Sequence, residues 1–178
     1  GGGLAIDYEN PMENGVSDFQ NFINLFNKNI LLNDNQNLHF ELGRSIVGQS
    51  GFLITKVLFT KKSYNKNFVI VDAGMNDLMR PALYKAYHKV IPSRKTKRKI
   101  FKRHDFVGPV CETTDKFISL KSYQKLNEGD NIVICDVGAY GKVLSSNYNL
   151  RLDTNEILIK NSKVFRIRKK GTLQALLR

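Results

Sequence analysis

The chain has no apolar run near the roughly 20 residues that a bilayer-spanning helix requires, so no membrane partner is expected. It has only two cysteines, Cys111 and Cys135. Their separation gives neither a metal-ligand spacing nor a disulfide framework, and reduced thiols in a cytoplasmic protein account for them most simply. No internal repeat and no low-complexity tract interrupts the 178 residues. The sequence also lacks an initial Met. It opens on Gly1-Gly2-Gly3, which suits both an expression scar and the interior of a longer protein.

What is present describes an ordinary globular chain, 42% apolar and 25% charged, long enough for one domain or a small pair with a real core. A net charge of +12 invites a nucleic-acid reading. The run RKTKRKIFKR at 94–103 holds seven of the 28 basic residues, leaving 21 basic against 16 acidic elsewhere. Phe101 is the only aromatic in that run, so the run offers no interleaved aromatics for stacking bases. A solvated basic loop is expected, and nucleic acid is not.

Residues 69–84, VIVDAGMNDLMRPALY, read as a buried strand (Val69, Ile70, Val71), a loop with Asp72, Gly74, Asn76 and Asp77, and a helical turn. Arg80 and Tyr84 stand i, i+4 in that turn, which puts a guanidinium and a phenol on one face. Such a pair is suited to gripping a carboxylate. A surface ion pair beside a helix start fits the same letters.

Around this stretch, Gly1, Gly2 and Gly3 would let backbone N–H groups approach an anion without obstruction. Ser17 and Gln20 form a capping-box pattern. Phe19, Phe22, Ile23, Phe26 and Ile30 recur at helical spacing, predicting a helix over 18–31 with its aromatic stripe in the core. Residues 38–47, LHFELGRSIV, are expected to form a strand interrupted by Glu41 and Arg44 beside Gly43. Charges at a strand end need partners, and α/β folds place ligands there; a mutual Glu41–Arg44 pair is the alternative. Strands are expected at 51–60 and 67–72, and Leu83, Ala86, Tyr87 and Val90 predict a short helix ending before Pro92. In FVGPVCETTD, Cys111 and Glu112 follow a Gly-Pro turn, where a free cysteine ordinarily reads as a small buried hydrophobe. Residues 132–137 read as a strand with Cys135 in the core. Tyr140 lies between glycines at the start of a short helix, whose free N–H groups suit a phosphate. A hairpin at 156–168 and a last helical turn at 173–177 close the chain.

Taken in order, GGGLAIDY, ELGRSIVG, VDAGMNDLMRPALYKAYH, VGPVCETTD and DVGAYGKVLSSNYN resemble the C-terminal part of the diaminopimelate decarboxylases. These are pyridoxal-phosphate enzymes of the alanine-racemase-like fold. The likeness covers nearly the whole chain; the basic run and the 18–31 helix are its least distinctive parts. It implies an α/β plus β fold. Residues 1–47 would be the last strands and helix of an alanine-racemase-like (β/α)8 barrel that binds the cofactor. Residues 48–178 would be a C-terminal β-barrel or sandwich domain. The implied reaction is decarboxylation of meso-2,6-diaminopimelate to L-lysine and CO2 with pyridoxal 5'-phosphate, in the cytoplasm.

By the same resemblance, Gly1, Gly2, Gly3, Gly43, Arg44 and Tyr140 would surround the cofactor phosphate, and Glu41 would face the pyridine nitrogen. Arg44, Arg80 and Tyr84 would bind the carboxylate at the non-reacting end of the substrate, with Tyr140 also within its reach. Glu112 would hold the distal amino group, and Cys111 would act as general acid at the reacting carbon. Cys111 and Glu112 would serve a site across the interface of a two-fold homodimer. Two departures stand out. Glu41-Leu42-Gly43-Arg44 replaces the usual Glu-Pro-Gly-Arg, with an extended Leu42 expected to preserve the geometry. The Schiff-base lysine and a ring-stacking histidine, which the family carries upstream, have no counterpart, so this chain alone is expected to be inactive. A decarboxylase of ornithine or arginine is the first alternative. Cys111-Glu112 in place of Cys-Asp, and a cation at Arg80 that would face an amine, oppose it. A non-catalytic basic binding module rests only on RKTKRKIFKR.

Overall fold

A computed structural model describes residues 2–13, 17–64, 66–94 and 103–177. Gly1 and the centre of the basic run, 95–102, lie outside the described residues. The first helix, α1 (Phe19–Asn29), starts one residue later than a Ser17 cap would set it: Asp18 accepts from Asn21 N–H at 2.9 Å. The Ser17 hydroxyl is engaged elsewhere, donating to the Ala5 carbonyl at 2.8 Å. The capping box is therefore not formed, because a carboxylate also satisfies the helix dipole better than a hydroxyl. Nor is the stripe of α1 core. No α1 residue is buried, and Phe22 and Phe26 meet each other edge-on at 5.0 Å and Phe40 at 5.6 and 4.9 Å between ring centroids.

The expected strand over 38–47 is likewise absent. Residues 43–47 wind into α2 (Gly43–Val47), followed by a 3-10 turn (Gly48–Ser50), while 38–42 pair with no strand. The β-branched Ile46 and Val47 suggested a strand. The helix ends on Gly48, whose N–H donates to the Arg44 carbonyl, and Gly138 N–H fastens the turn that follows by donating to the Gly48 carbonyl at 3.0 Å. Leu42 is not extended but sits at φ −84, ψ 45, about 20° from the φ that a proline ring imposes. The Glu-Leu-Gly-Arg departure is thus accommodated. Among the described residues, none before Leu53 belongs to a strand.

Beyond α2 the chain builds one six-stranded mixed sheet from β1 (Leu53–Ser63), β2 (Lys66–Val71), β3 (Val90–Pro92), β4 (His104–Val107), β5 (Lys116–Leu120) and β6 (Asn131–Ile134). The order is β3-β6-β1-β2-β4-β5, with only β2 and β4 parallel. Val57, Val69, Val71, Phe106, Ile132 and Ile134 alternate onto one face and form the core with Leu78, Val90 and Phe117. The crossover from β2 carries α3 (Arg80–Tyr84), with Pro81 in its first turn, where the missing N–H costs nothing. The predicted helix through Val90 is not formed. Lys85 adopts φ 53 and ends α3, and the chain extends so that Val90 pairs with Ile134. A hairpin of β7 (Glu156–Lys160) and β8 (Lys163–Arg168) and the turn α4 (Leu173–Leu176) follow as anticipated.

Register decides where the motifs go. Leu53 and Val90 both lie opposite Ile134, Val57 opposite Val71, Ile70 opposite Val107, and Val107 opposite Lys116. The starts of β1, β3 and β5 and the ends of β2, β4 and β6 therefore share one end of the sheet. All four motif loops of the sheet emerge there. Pro92 and His104, the strand residues on either side of the basic run, lie at the opposite end.

Gly138 is where this assembly is tightest, since a Cβ there would collide with the backbone carbonyl of Val47. Backbone against backbone cannot swing away. Gly138→Ala is expected to cost about 1–3 kcal/mol, read as a lower urea midpoint; an unchanged midpoint would show that the close approach is dispensable.

Candidate active site

The deepest polar cluster at the motif end centres on Arg80, which is only 7% exposed. Its Nη1 lies 2.9 Å from the Tyr8 hydroxyl and 2.9 Å from His88 Nε2. His88 Nδ1 lies 2.9 Å from the Cys135 carbonyl oxygen. A carbonyl only accepts, so Nδ1 carries the proton and Nε2 is left as the acceptor that Arg80 requires. Burial chiefly, and the Arg80 charge after it, hold the His88 pKa down at about 4 against the opposing pull of the Cys135 carbonyl. The Tyr8 ring packs edge-on against His88, 5.4 Å between centroids, and the Arg80 guanidinium carbon lies 5.3 Å from the Tyr8 ring centre. Among the described residues, no carboxylate pairs with Arg80. A buried cation with only neutral partners is expensive unless an anion arrives from outside. Tyr84, at the other end of α3, is 62% exposed. The two residues share a helix but not a depth.

Gly2, Gly3, Glu41, Gly43, Arg44 and Tyr140 form a second group. A side chain at Gly2 would stand 3.2 Å from the Glu41 carbonyl oxygen, so the glycine segment runs against the Glu41–Arg44 turn. Gly3 has φ 120 and open space where a Cβ would be. Tyr140 sits at φ 58, half exposed, in the loop that Gly138 presses onto the end of α2. Glu41 and Gly43 are exposed and Arg44 half-buried. A guanidinium, a phenol and unobstructed glycine N–H groups are a donor set suited to a phosphate. Tyr8 ties this group to the first, because it belongs to the same segment as Gly2 and Gly3.

Cys111 and Glu112 occupy the β4–β5 loop, whose Thr113 and Thr114 line a shallow pocket together with Pro81, Lys85 and Tyr87. Cys111 is exposed, contrary to the ordinary expectation for a free cysteine, while Cys135 is buried as anticipated. Glu112 accepts from Thr114 N–H and Thr114 hydroxyl, both at 2.8 Å, and these bonds hold its pKa below the usual carboxylate range. Asp115 anchors the loop by accepting from Val110 N–H and Met75 N–H, each at 2.7 Å.

The family model for the pyridoxal-dependent decarboxylase C-terminal sheet domain matches residues 13–138. The chain belongs to this decarboxylase family. A diaminopimelate decarboxylase of Bacteroides thetaiotaomicron is 46% identical over 85% of the chain and 39% of that protein. The crystal structure of diaminopimelate decarboxylase from Helicobacter pylori complexed with L-lysine superposes with a TM-score of 0.79 at 39% identity, over 98% of this chain and 42% of the other. The crystal structure of AQ1208 from Aquifex aeolicus gives 0.85 at 37% identity, over 99% and 42%. The chain thus spans about two fifths of the length of the relatives it matches. No helix among the described residues is long and apolar enough to cross a membrane.

Three residues escaped the sequence reading of this decarboxylase chain. Tyr8 and His88 are single letters inside motifs, with no spacing to Arg80 that would mark them. Asp136 lies in the strand extension before Val137, at φ 60 and 1% exposed, and neither of its carboxylate oxygens has a hydrogen-bond partner among the described residues. Burial, with the Asp7 charge behind it, pushes its pKa up to about 6.

Both groups make folding depend on pH, with opposite signs. The unfolded chain protonates His88 near 6.5 and the fold only near 4, so its contribution is whole above 6.5 and is lost as pH falls toward 4. For Asp136 the fold takes the proton near pH 6 and the unfolded chain near 3.8, so falling pH removes a penalty. Relative to wild type, His88→Gln is expected to gain stability between pH 6.5 and 4 and Asp136→Asn to lose it, each by up to about 3 kcal/mol. Urea midpoints at pH 7, 5.5 and 4 read this directly. Parallel pH curves for all three proteins would refute the assignment.

Proposed function

We propose that this chain is the C-terminal part of a diaminopimelate decarboxylase that converts meso-2,6-diaminopimelate to L-lysine and CO2. Residues 1–47 then end the cofactor-binding α/β barrel, and 48–178 form the sheet domain that supplies substrate-binding and dimer-interface groups. The observation that carries this reading is the buried Arg80 guanidinium with neutral partners. A substrate carboxylate supplies the missing charge, and the substrate class with a second carboxylate is the one the similar relatives are named for.

Pyridoxal phosphate, when bound, supplies the electron sink that accepts the pair left by departing CO2. Its fit rests on the donor set of Gly2, Gly3, Gly43, Arg44 and Tyr140, which would hold the phosphate. Gly1 would extend that set, and a lysine outside these 178 residues would carry the covalent link. Glu41 would keep the ring nitrogen protonated, since a facing carboxylate favours the charged form. Arg80, with Arg44 and Tyr84, grips the carboxylate of the non-reacting end and so decides which end of the diacid reaches the chemistry. Glu112 takes the distal ammonium through the oxygen that Thr114 does not hold. Cys111, exposed at the tip of its loop, delivers a proton to the carbon that lost CO2. The reading includes a two-fold homodimer in which each β4–β5 loop, with its exposed Cys111, serves the partner's site. Such an enzyme works in the cytoplasm, where both thiols stay reduced.

The test is CO2 and L-lysine release from meso-diaminopimelate by the full-length protein loaded with pyridoxal phosphate. Arg80→Ala is expected to raise KM about ten- to hundredfold, the worth of a charge-assisted carboxylate bond, with a smaller loss in kcat. An Arg80→Ala enzyme with wild-type KM would remove Arg80 from the substrate site.

A further inference from the structure

We infer that Tyr8 and His88 are positioning residues that hold Arg80 aimed while leaving its positive charge unspent. The inference rests on the reading of Arg80 as the carboxylate grip and says how the fold equips it for that task. The two residues occupy the two hydrogens of one nitrogen, Nη1. Nη2 and Nε stay outside those two bonds, as the edge of the fork that meets a carboxylate side-on.

Both partners are chosen for neutrality. A carboxylate in either place would hold the guanidinium as firmly, but it would cancel the charge and compete with the incoming anion. His88 is fixed as a neutral acceptor from behind, because its Nδ1 hydrogen is committed to the Cys135 carbonyl. At 2% exposure it has no solvent route to an alternative tautomer. Two neighbouring groups are engaged elsewhere: Lys89, next in the chain, is turned to the Glu9 carbonyl at 2.6 Å, and the Cys135 thiol is held protonated, its pKa pushed up to about 11 mainly by burial. Tyr8 reaches Arg80 from the segment that also carries Gly2 and Gly3. One hydroxyl thereby links the residues placed at the cofactor phosphate to the residue placed at the far end of the substrate.

The experiment compares inhibition of the full-length, cofactor-loaded enzyme by L-lysine, which carries the gripped carboxylate, and by pentane-1,5-diamine, which lacks it. His88→Leu removes the neutral acceptor and is expected to weaken L-lysine about ten- to hundredfold while leaving the diamine within twofold, so that the preference collapses. KM for diaminopimelate should rise with it, with kcat changing less. His88→Gln presents an amide oxygen to Arg80 and should restore most of the preference. Tyr8→Phe keeps the ring against His88, deletes only the hydroxyl, and should lose about two- to tenfold of the preference, which reads the same effect should His88→Leu not fold. An undiminished preference in His88→Leu, or an equal loss for both inhibitors, would overturn the inference. So would His88→Gln behaving like His88→Leu. A wild-type enzyme indifferent to the carboxylate would instead overturn the reading of Arg80 itself, and this inference with it.

Discussion

A guanidinium sunk into a protein without a carboxylate beside it is the constraint around which the rest is arranged. Left unpaired, Arg80 would cost several kcal/mol of desolvation. The fold offsets part of this with two hydrogen bonds and the face of the Tyr8 ring, and none of these neutralises the charge. What remains is an electrostatic demand for an external anion. In the proposed enzyme, that demand would sort a diacid from a simple diamine.

The sheet serves this site chiefly as a frame. Its registers bring the start of β1, the end of β2, the start of β3 and the end of β6 to one edge, so segments distant in sequence meet over a few strand spacings. Close backbone approach then fastens them. Gly138 lies against the end of α2, Gly74 against Asn76 and Val110, and Gly2 against Glu41. Each of these contacts is possible because a side chain is missing, and each joins two motifs. The β4–β5 loop with Cys111 and Glu112 emerges at the same end, tied by Asp115 to Met75 in the segment that leads into α3.

The covering of α1 follows the same logic from the opposite direction. Its aromatic stripe has a helical period and a clean polar face, yet Phe40 is the one ring among the described residues that Phe22 and Phe26 both meet. The hairpin of β7 and β8 similarly shows Ile157, Ile159, Val164 and Ile167 more than half exposed. In the proposed enzyme these surfaces are apolar faces that the cofactor barrel or a second copy covers.

Local chemistry alone was enough for much of this. The period-two apolar pattern of β1, β2 and β6, the hairpin at 156–168, the helical period of α1 and the strand–loop–helix around Asp72 and Arg80 were all legible, because burial on one face writes itself into sequence at the period of the element. The order of five short motifs identified the family, although their separations hide that they meet. Tertiary structure decided the rest. Ile46 and Val47 became helix where Gly138 fastens the turn that follows α2, and the chain after Lys85 left its helical pattern because Val90 had a strand to pair with. Tyr8 and His88 could not be found from spacing, since they lie 72 and 8 residues from Arg80 in the chain and 2.9 Å from it in space. Sequence periodicity records which face of an element is wet; it carries no record of which distant donor will meet which acceptor, and only the assembled sheet settles that.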